Sequence, residues 1–257
     1  MDYQKLIVEK ENNVLVAAIN NPPANAMGQG VLKDLDRLLD ESLNDDSIRV
    51  IIITGTGEKL FSAGADISEF SGLQADTERI NGNDVYFKIE NYPKIIIAAM
   101  QGSAYGGGLE LAMSCHMRFI ADNAKIGLPE VKLGIMPGWG GTQRLPRYIG
   151  KTKAMELMLT GDPLTAREAL NLGVVNRVVP QNSIVNEAKT FAAGLATGAP
   201  IAQREIIRAV NRGLNAPLDE GVYKIEFEGV ARVFSSDDAR EGAMAFFQKR
   251  PPVFKGK

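Results

Sequence analysis

An α/β fold is predicted by three features of the sequence. Arg49–Thr54 and Ile95–Met100 are short β-branched apolar runs bounded by turn residues, as buried strands are. Strand, turn and helix patterns recur with short connections as far as Val179. After Ser183 the strand patterns stop and four stretches of helical periodicity follow, so the C-terminal third is helical. With 257 residues, 45% of them hydrophobic and 23% charged, the chain can bury a large core as one domain, with room for a small appendage. A core over 1–197 and a helical region over 198–257 are the expected parts.

In chain order, Leu6–Glu9 and Val14–Ile19 flank Glu11, Asn12 and Asn13 and predict a hairpin, which Pro22 and Pro23 end. Val31–Leu43 sets Val31, Leu32, Leu35, Leu38 and Leu39 against Lys33, Asp34, Asp36 and Arg37, an amphipathic helix that packs on a sheet. The Arg49–Thr54 strand closes at Gly55 and Gly57, and FSAGADI (Phe61–Ile67) follows, either an ordinary tight turn or one that leaves backbone N–H groups free for a ligand. Ala75–Glu90 is polar and predicts a flexible helical cover. Met117–Ile120 and Lys125–Gly127 are short strands. Pro137–Arg144 is a glycine-rich turn into a helix that Met155–Thr160 continues to Gly161. Thr165 and Glu168 have capping-box spacing for a helix over Thr165–Leu172, and Val174–Val179 returns as a strand. Ile184–Ala196, Ile201–Leu214, Asp219–Phe234 and Ser236–Lys249 are the closing helices; the last two carry enough apolar surface to cover the core or a neighbouring subunit. The recurrence is too irregular to mark a solenoid.

Gly102–Gly141 is the stretch richest in glycine, and the candidate active site falls there. Gly106, Gly107 and Gly108 open a helix after the Ile95–Met100 strand, where the first N–H groups lack partners and the dipole is positive, a place for developing negative charge. Glu110, in the first turn, has two roles open to it: compensating that dipole, or acid–base chemistry. Glu130 is a second acid in an apolar, turn-bounded segment, and buried carboxylates are costly unless paired or used. If the two share a pocket, at least one pKa rises, and one acts as base while the other acts as acid.

Composition excludes several classes. The net charge is −2 with no strongly basic stretch, which disfavours nucleic acid as partner. Cys115 is the only cysteine and His116 the only histidine, so neither a disulfide framework nor a zinc site is expected; Cys115 reads as a buried thiol and His116 as a packed, hydrogen-bonded residue. No run approaches the length of a membrane span, and Met1–Lys10 lacks a signal-peptide pattern, so a cytoplasmic location is expected.

FSAGADI, the IAAMQGSAYGGGLELAMSCHMRFIADNAKIGLPEVKLGIMPGWGGTQRLPR block and the closing EGAMAFFQKRPPVF together resemble the enoyl-CoA hydratase, or crotonase, family over essentially the whole chain. The resemblance implies a crotonase-like ββα spiral core and a helical C-terminal region that mediates trimers, often paired into hexamers. It implies that the backbone N–H groups of Ala65 and Gly107 form an oxyanion hole for an acyl-CoA thioester. It further implies that Glu110 and Glu130 carry out syn addition of water to a trans-2-enoyl-CoA, giving a 3-hydroxyacyl-CoA in fatty-acid or related degradation. Lys59, Ala63, Ala65, Asp66 and Ile67 map to the CoA path, and Leu109 and Trp139 to the acyl pocket. CoA is then part of the substrate, and no metal or separate cofactor is implied. An isomerase, thioester hydrolase or decarboxylase would use the same enolate, and a non-catalytic CoA- or RNA-binding homologue is the rival of another class; both acids being present favours hydration. Two positions depart from the family pattern: NPPANAMG replaces an arginine-containing opening, and His116 stands where many members carry an acid.

Overall fold

The computed structural model describes residues 2–72 and 80–257. Its core is a stack of repeating units, each sending one strand to a larger sheet and the next to a smaller one. β1 (Leu6–Glu11) and β2 (Val14–Ile19) form the antiparallel hairpin that opens the larger sheet, paired from Leu6 opposite Ile19 to Glu11 opposite Val14. α1 (Gln29–Leu43) follows, burying Val31, Leu32, Leu35, Leu38 and Leu39 as its periodicity requires. Then come β3 (Val50–Gly55) and β4 (Leu60–Ser62), α2 (Gly82–Glu90), β5 (Ile95–Met100) and β6 (Ser103–Tyr105), α3 (Gly107–Ser114), and β7 (Met117–Ala121) and β8 (Lys125–Gly127). β3, β5 and β7 lie parallel in the larger sheet, β4, β6 and β8 parallel in the smaller one. This is the ββα spiral. β3 and β5 are buried along their whole length, which explains their lack of polar alternation.

α4 (Gly141–Ile149) and α5 (Lys151–Thr160) are separate helices, because Gly150 at φ +79° breaks the expected continuation. β9 (Leu164–Thr165) joins the smaller sheet beside β8, and Thr165 and Glu168 form the expected capping box of α6 (Ala166–Asn171). The last strand, β10 (Arg177–Val179), is shorter than Val174–Val179, since the N–H groups of Val174 and Val175 turn back to Ala169 O at the end of α6. α7 (Ile184–Ala196) covers the larger sheet and α8 (Pro200–Gly213) leads away from it. The expected single helix over Asp219–Phe234 is α9 (Leu218–Glu220), a π-helical segment (Gly221–Glu226) and α10 (Phe227–Phe234) in succession; α11 (Asp237–Gln248) closes the chain. Arg232 of α10 reaches the buried carboxylate of Glu205 in α8 at 2.9 Å, fastening these helices together.

The expected flexible cover over Ala75–Glu90 is corrected in its second half: α2 is packed, with Val85, Tyr86 and Ile89 buried. Its start, 75–79, lies outside the described residues. No helix among the described residues is long and apolar enough to cross a membrane.

Candidate active site

The site forms where β4 and β6 run out into turns at the start of α3. Gly106, at φ +50°, precedes α3 in a conformation that only glycine adopts cheaply, and a Cβ there would stand 3.0 Å from Glu130 Oε1. On the other strand, Met27 bridges to Ala65: Met27 N–H donates to Gly64 O (2.8 Å) and Asp66 N–H to Met27 O (3.4 Å). In that parallel pairing the N–H of Ala65 itself points to the opposite side. Among the described residues, neither the Ala65 nor the Gly107 N–H has a protein acceptor. The two are close, since a Cβ on Gly107 would lie 3.3 Å from the Ala65 nitrogen. The carbonyls of the same two peptides are occupied, Gly64 O by Met27 and Gly106 O by the Glu110 N–H at 2.9 Å. Two adjacent free amides with the positive end of α3 behind one of them can bind an oxygen that gains negative charge.

Glu110 and Glu130 both come to this place. Glu110 is 2% exposed, and its Oε1 accepts the N–H groups of Trp139 (2.9 Å) and Gly141 (2.7 Å). Burial pushes its pKa up to about 7; the two N–H donors oppose the rise, and the charge of Glu130 adds to it. Glu130 opens a short 3-10 turn (Glu130–Leu133), is 9% exposed, and has a buried Oε2 without a hydrogen-bond partner. Burial raises its pKa as well, against the pull of its own backbone N–H. The geometry therefore offers one carboxyl held by two donors and one left almost without them, an asymmetric acid–base pair.

The other expected positions are distributed around this centre. Trp139 packs its ring against Gly107, where a Cβ would meet it at 2.7 Å, while Leu109 is buried in the hydrophobic core directly after the glycine turn. Lys59 and Ala63 are exposed along the β4 edge; Asp66 binds the N–H and hydroxyl of Ser68, and Ile67 stands 56% exposed. His116 lies in the packing: its Nδ1 accepts the Ile96 N–H at 2.8 Å and its Nε2 faces Glu90 O at 3.2 Å, so Nε2 carries the proton. Burial lowers its pKa to about 4 and keeps the ring neutral. Cys115 is buried as expected. A cleft of about 940 Å³ lies away from the carboxyl pair, between α2, α4 and the C-terminal helices, with Glu90, Arg144 and Asn211 on its wall.

Sequence reading passed over Tyr86, Glu90 and Arg144. The Tyr86 hydroxyl donates to Gly107 O at 2.8 Å, and its ring meets the Trp139 ring edge-on at 5.6 Å between centroids. Glu90 forms a bidentate pair with Arg144, whose Nη1 donates to Trp139 O at 2.9 Å. The apolar trio Val85, Tyr86 and Ile89, spaced for one helix face, was the signal that Ala75–Glu90 is no loose cover.

With this geometry, the chain's relatives can be set beside it. A family model described as enoyl-CoA hydratase/isomerase matches residues 9–257. A probable enoyl-CoA hydratase of Bacillus subtilis is 44% identical over 95% of this chain and 96% of its own length. The short-chain-enoyl-CoA hydratase of Clostridium acetobutylicum is 42% identical over 97% of both chains. Among solved structures, an enoyl-CoA hydratase from Bacillus anthracis superposes with a TM-score of 0.93 at 36% identity, over 99% of this chain and 100% of that one.

Proposed function

Since the chain belongs to the enoyl-CoA hydratase/isomerase family, we infer that it is an enzyme hydrating trans-2-enoyl-CoA thioesters to 3-hydroxyacyl-CoA by syn addition of water. The observation that carries the reading is the pair of buried carboxyls, Glu110 and Glu130, beside the two free amides of Ala65 and Gly107. The amides hold the thioester oxygen. Water attacks C3 as Glu110 takes its proton, and the C2=C3 electrons move into the thioester to give an enolate whose oxygen the amides stabilise. Glu130 then protonates C2, and proton exchange between the two acids and solvent restores the starting state. The roles follow the hydrogen-bonding surroundings: two N–H donors orient Glu110 and oppose the rise that burial imposes on its pKa, which suits a base, whereas burial also raises Glu130, whose Oε2 is bare, which suits a proton donor. This chemistry calls for no metal and no cofactor beyond the CoA of the substrate.

Lys59, Ala63, Ala65, Asp66 and Ile67 form the CoA path in this reading, and Leu109 and Trp139 border the acyl group. The catalytic core spans 1–197, and the region over 198–257 assembles the protein as a homotrimer or a dimer of trimers, in the cytoplasm. Support for assembly comes from Leu214, Leu218, Tyr223, Phe227, Phe234, Phe246 and Phe247, each more than two-thirds exposed. The test is direct. Purified protein is expected to abolish the ultraviolet absorbance of the conjugated bond in crotonyl-CoA and to yield 3-hydroxybutyryl-CoA; no hydration of crotonyl-CoA or longer enoyl thioesters would overturn the reading.

A further inference from the structure

We propose that Arg144, braced by Glu90, is a positioning residue for the reaction: it fixes the Trp139–Gly141 loop that presents two backbone N–H groups to Glu110. The chain of contacts is continuous. Both carboxylate oxygens of Glu90 meet the Arg144 guanidinium, Oε1 at Nε (3.1 Å) and Oε2 at Nη2 (2.9 Å). The remaining Nη1 donates to Trp139 O (2.9 Å), and the residues on either side of Gly140 donate their N–H groups to Glu110 Oε1. Gly140 is part of the device. It sits at φ +102°, and a Cβ there would stand 2.1 Å from Arg144 Nη1, so any side chain at this position would displace the guanidinium from the loop. Arg144 is 9% exposed, and a buried cation without its acid would be costly, which is why Glu90 accompanies it.

Glu90 is itself held from two further sides, its carbonyl facing His116 Nε2 and accepting from Asn211 Nδ2 of α8 at 2.5 Å. The end of α2, the turn after α3, α4 and α8 thus converge on the support of one carboxyl. Besides the two N–H donors, the charged or titratable groups whose fields act on Glu110 or are acted on by it are Glu130, Arg144 and the Tyr86 hydroxyl. Tyr86 stays protonated because burial drives its pKa well above the ordinary value, and Glu130 opposes ionisation of Glu110. Arg144 is the one cation of the set, and its field favours the ionised base.

The proposal rests on Glu110 as catalytic base, and the experiment separates the two. In Arg144→Met, kcat for crotonyl-CoA is expected to fall about 10- to 100-fold through misplacement of the base, with KM within about threefold of the parent. The acidic limb of the kcat–pH profile should move up by about one pH unit, so that part of the loss returns in alkaline buffer. Arg144→Lys keeps the charge and should leave the limb near its parental position. Glu90→Gln removes the neutralising carboxylate but keeps Arg144, and should move the limb the opposite way; it also serves if Arg144→Met does not fold. Carboxyl NMR titration of Glu110 reads the same shifts without turnover, so a parent that fails to hydrate would sink the functional reading and still leave this one decided. An unchanged Glu110 titration, or a loss of activity uniform across pH, would overturn the proposal.

Discussion

Glu110 and Glu130 are both buried, yet their hydrogen-bonding surroundings are opposite, and this asymmetry governs how the site responds to pH. A base must be ionised to accept a proton, so hydration should rise with pH through about 7, where Glu110 titrates, as a kcat–pH profile would show. The same group couples to stability. Its folded pKa lies above the ordinary value of 4.5, so between pH 4.5 and 7 the folded chain holds a proton that the unfolded chain releases. Stability therefore declines as the pH rises across that window, by roughly 3 kcal/mol. Glu110→Gln can still accept both N–H bonds while carrying no charge. It is expected to cost about 10²- to 10⁴-fold in rate and to make the protein more stable than the parent at pH 8, a gain that fades toward pH 4; denaturant titrations at the two pH values check this. Both acids were legible in the sequence as carboxyls in apolar segments beside glycine turns. The partners that distinguish them were not, because the N–H groups of Trp139 and Gly141 are brought to Glu110 by a loop about 30 residues further along the chain, and backbone donors carry no residue signature.

Among the elements, α2 shows how a packed helix can hide in a polar sequence. Its buried face is narrow, Val85, Tyr86 and Ile89, and its first residue, Gly82, lies flat against the Trp139 indole; a Cβ there would be 2.6 Å from the ring. That ring is backed by Tyr86 and by Gly107, so it has little room to retreat. Gly82→Val is expected to destabilise by about 1–3 kcal/mol through overpacking, lowering the melting temperature by several degrees. It should also lower kcat/KM, because displacing the indole drags the Trp139 N–H away from Glu110. Thermal melting and the crotonyl-CoA assay measure the two effects. Strands β3 and β5 and helix α7 could be read directly from β-branched runs and helical spacing, since each is defined by its own burial pattern. The start of β10 could not, because Val174 and Val175 have strand-like side chains but spend their N–H groups on α6.

At the scale of the molecule, the spiral itself escaped pattern reading because its units are unequal in length. The parallel strands of the larger sheet begin at Val14, Val50, Ile95, Met117 and Arg177, so no fixed period links them, although their pairing is regular. The C-terminal helices were legible as helices, and their apolar side chains, such as Tyr223, Phe227, Phe234, Phe246 and Phe247, are exposed. If the proposed trimer forms through these helices, Tyr223→Glu combined with Phe227→Glu, which charges two such exposed side chains, is expected to yield smaller species than the parent; light scattering after size exclusion checks this. What the fold finally secures is the orientation of two peptide groups. The Gly64–Ala65 and Gly106–Gly107 units are each clamped at the oxygen end, by Met27 and Glu110, while the nitrogen end faces the site. Dipoles pinned in this way are already aligned before any substrate arrives, and a bond at one end polarises the other. In the proposed reaction, little of the rearrangement that liquid water must undergo around a nascent anion is left to perform.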